Sequence, residues 1–362
     1  MKNIIVQKIK RIVLRKLDAF SGMFFPLEKT LKSMSERPFE LLLELTNLCN
    51  AKCIFCPYQF QQRKIQFMSD EVFMKAVSDY CAMGGGSVGL TPIVGDALID
   101  PQFLNRVRFL RKQPRIDRIF LTTNAILLNK FGIDEILNSG ITSMAISTSG
   151  FDEASYLRIY QSNAYQQMKR NVYDLVKRNS ERGGPLHITI AIRTDRPLKE
   201  VIADPDFKPI LQYNPLIDFV WSYTTANGRI TREMLPSGMR LRKLGVKKEP
   251  CVQTYNGPLV LPDGDVMICS CVAAVDAQKD LTIGNVLSDN LLNIWTNHKT
   301  KEFRKTFGTD QLNSTCQNCD MYRDLELYRT CEGRQRAKVN RMRSEGKQVS
   351  RAYDKIVPFM GG

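Results

Sequence analysis

Apolar and polar positions fall into two alternating rhythms from residue 39 onward. Short runs of Leu, Ile, Val and Phe bounded by turn residues predict strands over 39–45, 87–94, 118–122, 143–147, 187–192 and 219–223. Between them, apolar residues recur at three- and four-residue intervals, which predicts helices over 69–83, 103–112 and 172–178, with Ser69 as the first helix's cap. Strands and helices in alternation specify β/α units and a largely parallel sheet. Pro205, Pro209 and Pro215 break the pattern between Val201 and Asp218. Past Pro250 the rhythm changes, and Pro262-Asp263-Gly264-Asp265 between two apolar runs is a hairpin signal.

Residues 1–20 place Ile5, Ile9, Ile12, Val13 and Leu17 near one helical face, with Lys8, Lys10, Arg11, Arg15 and Lys16 around it. Such a helix either docks on its own domain or lies on an anionic membrane surface or partner. The 362 residues are 43% hydrophobic and 25% charged, which fits a folded chain with room for one large and one small domain. No apolar run reaches the roughly 18–20 residues of a membrane span, and the first residues lack a secretory apolar region. The expected location is the cytoplasm, with peripheral contact at the inner membrane face through the basic ends. Those ends carry much of the net charge of +15: nine Lys/Arg against four Asp/Glu over 1–40, and eight against three over 332–356. A basic surface of this kind suits anionic lipid, an acidic electron donor or a phosphorylated substrate. Nucleic acid is disfavoured, because no nucleic-acid-binding module accompanies the charge.

The ten cysteines change the picture most. Cys49, Cys53 and Cys56 form C-x3-C-x2-C directly after the first predicted strand, and thiolates on one short loop select zinc or an iron-sulfur cluster. Three ligands leave one position open, whereas a structural zinc site closes with four. A second set follows: Cys251, Gly264 and Cys269 make C-x12-G-x4-C, and Cys316 and Cys319 add C-x2-C. Four thiolates suit zinc and iron-sulfur equally well. Short spacings in a chain of this size argue for metal ligation in a reducing compartment, not disulfides. Cys81 lies in an amphipathic stretch and is expected to pack, while Cys271 and Cys331 fall outside both patterns.

The first loop, with Phe55 as its aromatic and the apolar run 39–45 leading into it, resembles the signature of the radical S-adenosylmethionine (radical SAM) superfamily. That resemblance implies a partial (β/α)6 barrel. It also implies a [4Fe-4S] cluster on Cys49, Cys53 and Cys56 whose open iron chelates S-adenosylmethionine and cleaves it to a 5'-deoxyadenosyl radical. Val94-Gly95-Asp96-Ala97 resembles the family's Gly-Gly-Glu-Pro-like motif, with Asp96 in place of the usual Glu and Ala97 in place of Pro. Thr123-Asn124-Ala125 is similar to its Thr-Asn-Gly, and Ile146-Ser147-Thr148-Ser149-Gly150 to its Ile-Ser-Ile-Asp-Gly. The resemblance therefore implies S-adenosylmethionine contacts from Phe55, Gly95, Asp96, Asn124, Ser147, Ser149 and Arg193, the last toward the methionine carboxylate.

The C-terminal pattern resembles the SPASM/Twitch extension of the same superfamily, a small α+β domain. One auxiliary [4Fe-4S] cluster on Cys251, Cys269, Cys316 and Cys319 is implied, since the later C-x5-C-x3-C portion is absent after Cys319. Cys271 is then either a packed thiol or a hydrogen donor to a substrate radical. The domains are expected at 1–38 (basic extension), 39–245 (barrel), 246–331 (auxiliary domain) and 332–362 (basic tail). The expected activity is an oxidoreductase reaction on a small or carbohydrate-like substrate, with a reducing protein as electron donor. Peptide or protein side-chain modification is the alternative reaction. A non-catalytic iron-sulfur or zinc protein that binds a partner is the alternative of another class, and it accommodates the departures at Asp96 and Ser149.

Overall fold

The structure is a computed structural model that describes residues 27–90, 93–271, 275–325 and 331–345. The expected amphipathic helix at 1–20 lies outside them. Six parallel strands run in sequential order: β1 (Glu40–Leu43), β2 (Gly86–Gly89), β3 (Ile116–Thr123), β4 (Ser143–Thr148), β5 (His187–Ile192) and β6 (Leu216–Phe219). Helices join them, which gives the α/β architecture expected from the alternating rhythm and the partial barrel implied by the resemblance, with a small C-terminal α+β region. Parallel strands covered by helices are buried on both faces, and β1 and β2 are buried throughout. The two-residue side-chain period divides each strand: Glu40 and Leu42 of β1 and Arg118, Phe120 and Thr122 of β3 line an interior cavity. The alternate residues Leu41, Leu43, Ile119 and Leu121 are almost fully buried in the main core, each stabilising it by about 1.5–3 kcal/mol.

Helix Asp70–Ala82 begins where Ser69 accepts a hydrogen bond from the Val72 amide, and Phe103–Lys112 matches its predicted span. The expected last barrel strand at 219–223 is instead two pieces, β6 and β7 (Ser222–Tyr223), and β7 leaves the main sheet to pair in parallel with β8 (Arg240–Leu241). The second strand is shorter than the predicted 87–94, ending at Gly89.

The sheet does not stop at residue 245. Strand β9 (Leu259–Val260) pairs in parallel with β1, and β10 (Asp265–Met267) and β11 (Thr282–Asn285) continue it antiparallel. The hairpin around Gly264, at φ +89°, thereby extends β1 outward, and β11 forms the far edge of one nine-stranded sheet. The segment expected as a basic tail also carries structure: Cys331–Ser344 is a helix whose Arg343 is buried against Asp117 at 2.5 and 2.6 Å, the Phe39 carbonyl and Ser87. Val339 packs with Met34, Phe39, Val252 and Leu325, which joins this helix to helix Leu27–Glu36. No helix among the described residues is long and apolar enough to cross a membrane.

Candidate functional site

The cysteine loop leaves β1 through a segment fastened at both ends. Asn47 donates to the Lys64 carbonyl and accepts from the Gln66 amide, and Thr46 donates to the Gln66 carbonyl. Helix Glu153–Tyr160 ends beneath the loop, and its last carbonyls have no partner within the helix. The Lys52 and Ile54 amides supply them, donating to Tyr160 and Ile159 at 3.2 and 2.9 Å. The loop is thus the C-terminal cap of a helix more than a hundred residues downstream. Spacing alone gives no hint of this.

Gly95 lies against the same segment with φ +110°, and a Cβ there would stand 2.8 Å from the Thr46 carbonyl oxygen and 2.9 Å from that of Leu48. Only glycine allows this approach, and it lets the Asp96 amide donate to Leu48. The Asp96 carboxylate is buried and committed. It accepts from the Leu98 amide at 3.0 Å, the Asn124 amide at 2.8 Å and the Thr123 hydroxyl at 2.8 and 3.1 Å. Burial raises its pKa, and these hydrogen bonds oppose the shift. Asp96 therefore ties the Gly95 turn to the end of β3. Asn124 donates to Asn50 at 2.6 Å, which brings the β3 end onto the cysteine loop.

Arg193, at the end of β5, donates to Ser147 at 3.0 Å, and the Ser147 and Tyr160 hydroxyls are 2.7 Å apart. Its guanidinium stands over the Phe55 ring, which also meets Tyr160 and Tyr223. One cavity of about 260 Å³ is bordered by Cys49, Cys53 and Cys56, and also by Phe55, Gly95, Asp96, Asn124, Ser147 and Arg193. Ser149, expected beside Ser147, lies past the end of β4, is fully buried and is not among the residues that border the cavity. The sequence reading missed Glu44, a wholly buried carboxylate bound by both arms of Arg63 at 2.5 and 2.9 Å. Glu44 also accepts from the Ile93 amide, which props the turn before Gly95. A lone acidic residue closing an apolar strand was its only signal.

Burial pushes the Cys49 thiol up to about 12, with the Asp96 charge adding to it, and raises Cys53 and Cys56, whose shifts Arg193 opposes. A thiol ligates a metal only as its thiolate, so loading this donor set with a cluster must release the protons that burial holds on it. Among the described residues no three His, Cys, Asp or Glu side chains gather tightly enough for a single metal ion. A cubane takes one thiolate per iron, around a body and not at a point.

The second set assembles from three places. Cys251 precedes helix Gln253–Asn256, Cys269 follows β10, and Cys316 and Cys319 flank the end of helix Ser314–Gln317, where Asn313 caps the Cys316 amide at 2.8 Å. The Val252 amide donates to Arg323, and the Asp320 carboxylate accepts from Thr224 and the Thr225 amide at 2.6 and 2.5 Å. These bonds hold the C-x2-C segment against both Cys251 and the β7 exit. Burial, with the charge of Cys269 adding to it, raises Cys251 and Cys319 to about 12. The Cys271 amide donates to the Cys269 sulfur at 3.4 Å, and Cys271 lines the cavity while the four expected ligands do not. The side chain of Cys331 lies outside the described residues.

The radical SAM superfamily model matches residues 43–204, and the model of an iron-sulfur cluster-binding domain, SPASM, matches residues 251–320. Among curated proteins the chain is similar to GTP 3',8-cyclase of Mannheimia succiniciproducens, 24% identical over 215 residues, which are 57% of this chain and 63% of that protein. It is also similar to GTP 3',8-cyclase of Pasteurella multocida, 27% identical over 158 residues, 41% of this chain and 46% of that one. The chain thus spans less than two thirds of the length of these relatives. Among solved structures, Streptococcus suis SuiB bound to precursor peptide SuiA has a TM-score of 0.57 at 15% identity, covering 85% of this chain and 75% of that one. BtrN in complex with AdoMet and 2-DOIA has a TM-score of 0.52 at 17% identity, covering 78% and 92%. Likeness at these identities is one of fold.

Proposed function

Because the chain belongs to the radical SAM superfamily and carries a SPASM iron-sulfur domain, we propose that it cleaves S-adenosylmethionine to oxidise a small, carbohydrate-like molecule at a carbon-bound hydrogen. A single observation carries this reading: one cavity is bordered both by the open three-cysteine loop and by Ser270 and Cys271, next in sequence to the auxiliary Cys269. A substrate in this cavity has radical generation and electron uptake within one chamber.

Cys49, Cys53 and Cys56 hold the [4Fe-4S] cluster, and Cys251, Cys269, Cys316 and Cys319 hold the auxiliary one. When bound, the first cluster supplies the electron that breaks the sulfonium, and the second an acceptor for the electron a two-electron oxidation releases. The chain's own residues position and enclose. Gly95 brings backbone close to the cysteine loop, Asn124 and Ser147 present polar groups along the wall, and Arg193 offers a cation to the methionine carboxylate. Asp96 is a positioning residue, since its oxygens are already engaged within the fold. Phe55, Tyr160 and Tyr223 give the chamber an aromatic lining that excludes water. The curated relatives are named for a reaction of a nucleotide, which supports a small-molecule substrate. The basic surface suits an acidic reducing protein as electron donor.

The test is iron and sulfide content of the anaerobically reconstituted chain, together with 5'-deoxyadenosine release after reduction in the presence of S-adenosylmethionine. About eight irons with release is the expected result. Assembled clusters without release would overturn the reading.

A further inference from the structure

The β7–β8 ribbon has no role in the reading above, yet it borders the cavity. Its two strands are fixed to each other through the Arg242 amide, which donates to the Tyr223 carbonyl at 2.8 Å. The ribbon thereby delivers Arg242, Ser222 and Thr224 to the cavity wall.

Arg242 stands there without a carboxylate. Among the described residues it forms no salt bridge, and the contact its guanidinium makes is to the Met321 sulfur at 2.6 Å. Asp320 is near, but Thr224 and the Thr225 amide occupy its oxygens. Arg323 and Arg193 are also close enough to repel its charge. A half-buried guanidinium on the chamber wall, beside like charges and with the Asp320 oxygens engaged elsewhere, has no carboxylate bonded to it among the described residues.

None of the expected iron-sulfur ligands acts on its charge; Asp320 and Cys271 do, without a bond to it. Arg193 is the cation that faces Cys53 and Cys56, and Lys247 is the one that faces Cys251, Cys316 and Cys319. The cavity also carries Arg118 and Arg336, held on Ser143 and Asn256, against Glu40 and the committed Asp96. With Arg193 given to the methionine carboxylate, Arg242 is left for a second anion.

We infer that the substrate carries an anionic oxygen group, a phosphate or a carboxylate, bound by Arg242 on the wall formed by the β7–β8 ribbon. The inference rests on the reading above only in taking the chamber as the substrate's. The planar fork of the guanidinium bonds two oxygens of such a group at once, and Ser222 borders the same cavity. The reacting carbon then lies between this anchor and the cysteine loop.

The experiment titrates inorganic phosphate and, separately, acetate into the anaerobically reconstituted full chain saturated with S-adenosylmethionine, by calorimetry, in the wild type and in Arg242→Gln and Arg242→Lys. One of the two probes binds the wild type, and which one binds identifies the group. Arg242→Gln weakens it by about tenfold or more, and Arg242→Lys, which keeps the charge without the fork, falls between. Binding of neither probe, or equal binding by Arg242→Gln, overturns the inference. So does an equal loss of S-adenosylmethionine affinity in that variant, which would give Arg242 to the cofactor. A changed auxiliary-cluster potential with unchanged probe binding would make it that cluster's countercharge and overturn the inference too. Should the variants lose iron, a crystal structure of the wild-type holoprotein soaked in selenate decides: selenium against the Arg242 guanidinium supports the assignment, and selenium only elsewhere refutes it. Failure of the wild type to release 5'-deoxyadenosine would sink the proposed function, while the phosphate and acetate titrations would still decide this point.

Discussion

The two cysteine sites are built in opposite ways. Three thiols of the first come from eight consecutive residues, 49–56, and border the cavity. The four of the second are drawn from three segments spread over 251–319 and do not border the cavity. A site made by one loop needs only that the loop be held at its ends, here by Asn47, Gly95 and the last turn of helix Glu153–Tyr160. A dispersed site needs its supporting elements to fold first, here the hairpin of β9 and β10 and the Asp320–Thr224 bond. Under the proposed function, the comparison teaches that incomplete ligation goes with access to the reactants and complete ligation with enclosure.

The largest effect that would break this contrast is at the loop. Cys53→Ala should reduce 5'-deoxyadenosine release to background and iron from about eight to about four per chain, measured on reconstituted protein. Release at the wild-type rate would remove the loop from the reaction. Next, Cys316→Ala should also lose about four irons while S-adenosylmethionine is still cleaved, so that substrate oxidation falls and cofactor cleavage persists. Iron content equal to wild type would exclude Cys316 as a ligand.

Smaller changes sharpen the same contrast. Gly95→Ala forces a side chain into a left-handed backbone position against two carbonyls, and should cost about 1–3 kcal/mol of stability and weaken S-adenosylmethionine binding. Thermal unfolding and cofactor titration measure both, and two wild-type values would mean the loop tolerates the added methyl. Thr224→Val takes one hydrogen bond from the buried Asp320 carboxylate and should cost about 1–3 kcal/mol. Its effect should fall on auxiliary-cluster occupancy, read as iron content, and leave the loop cluster intact. An iron loss confined to the loop cluster would reverse the assignment of that bond.

Much of the barrel was legible because its signals are local. Ser69 caps a helix within reach of its own backbone, and β5 and helix Phe103–Lys112 are set by side-chain period. The cysteine loop was legible for the same reason. What was not legible depends on polar contacts between distant segments. Helix Cys331–Ser344 reads as a charged tail because it is anchored by a buried arginine, not by an apolar stripe, and no period in the sequence marks the partnership of Arg343 with Asp117. Asp96 reads as a ligand-binding carboxylate until its four hydrogen-bond contacts, spread over Leu98, Thr123 and Asn124, are in place. Ser149 sits two residues from Ser147 and by strand parity should share its face, but β4 ends at Thr148 and Gly150 turns the chain at φ +98°.

The parallel pairing of β9 with β1 has a consequence for how the chain comes to be folded. Leu42 and Leu259 are register partners, so the first barrel strand has its outer neighbour only after more than two hundred further residues have been made. Until then β1 presents an open edge of hydrogen-bonding groups, the kind of surface on which chains add to one another. Contacts of such sequence separation also form slowly. A chain cut at residue 245 would keep that edge permanently exposed, so the barrel should aggregate when expressed without the segment that carries the second cysteine set.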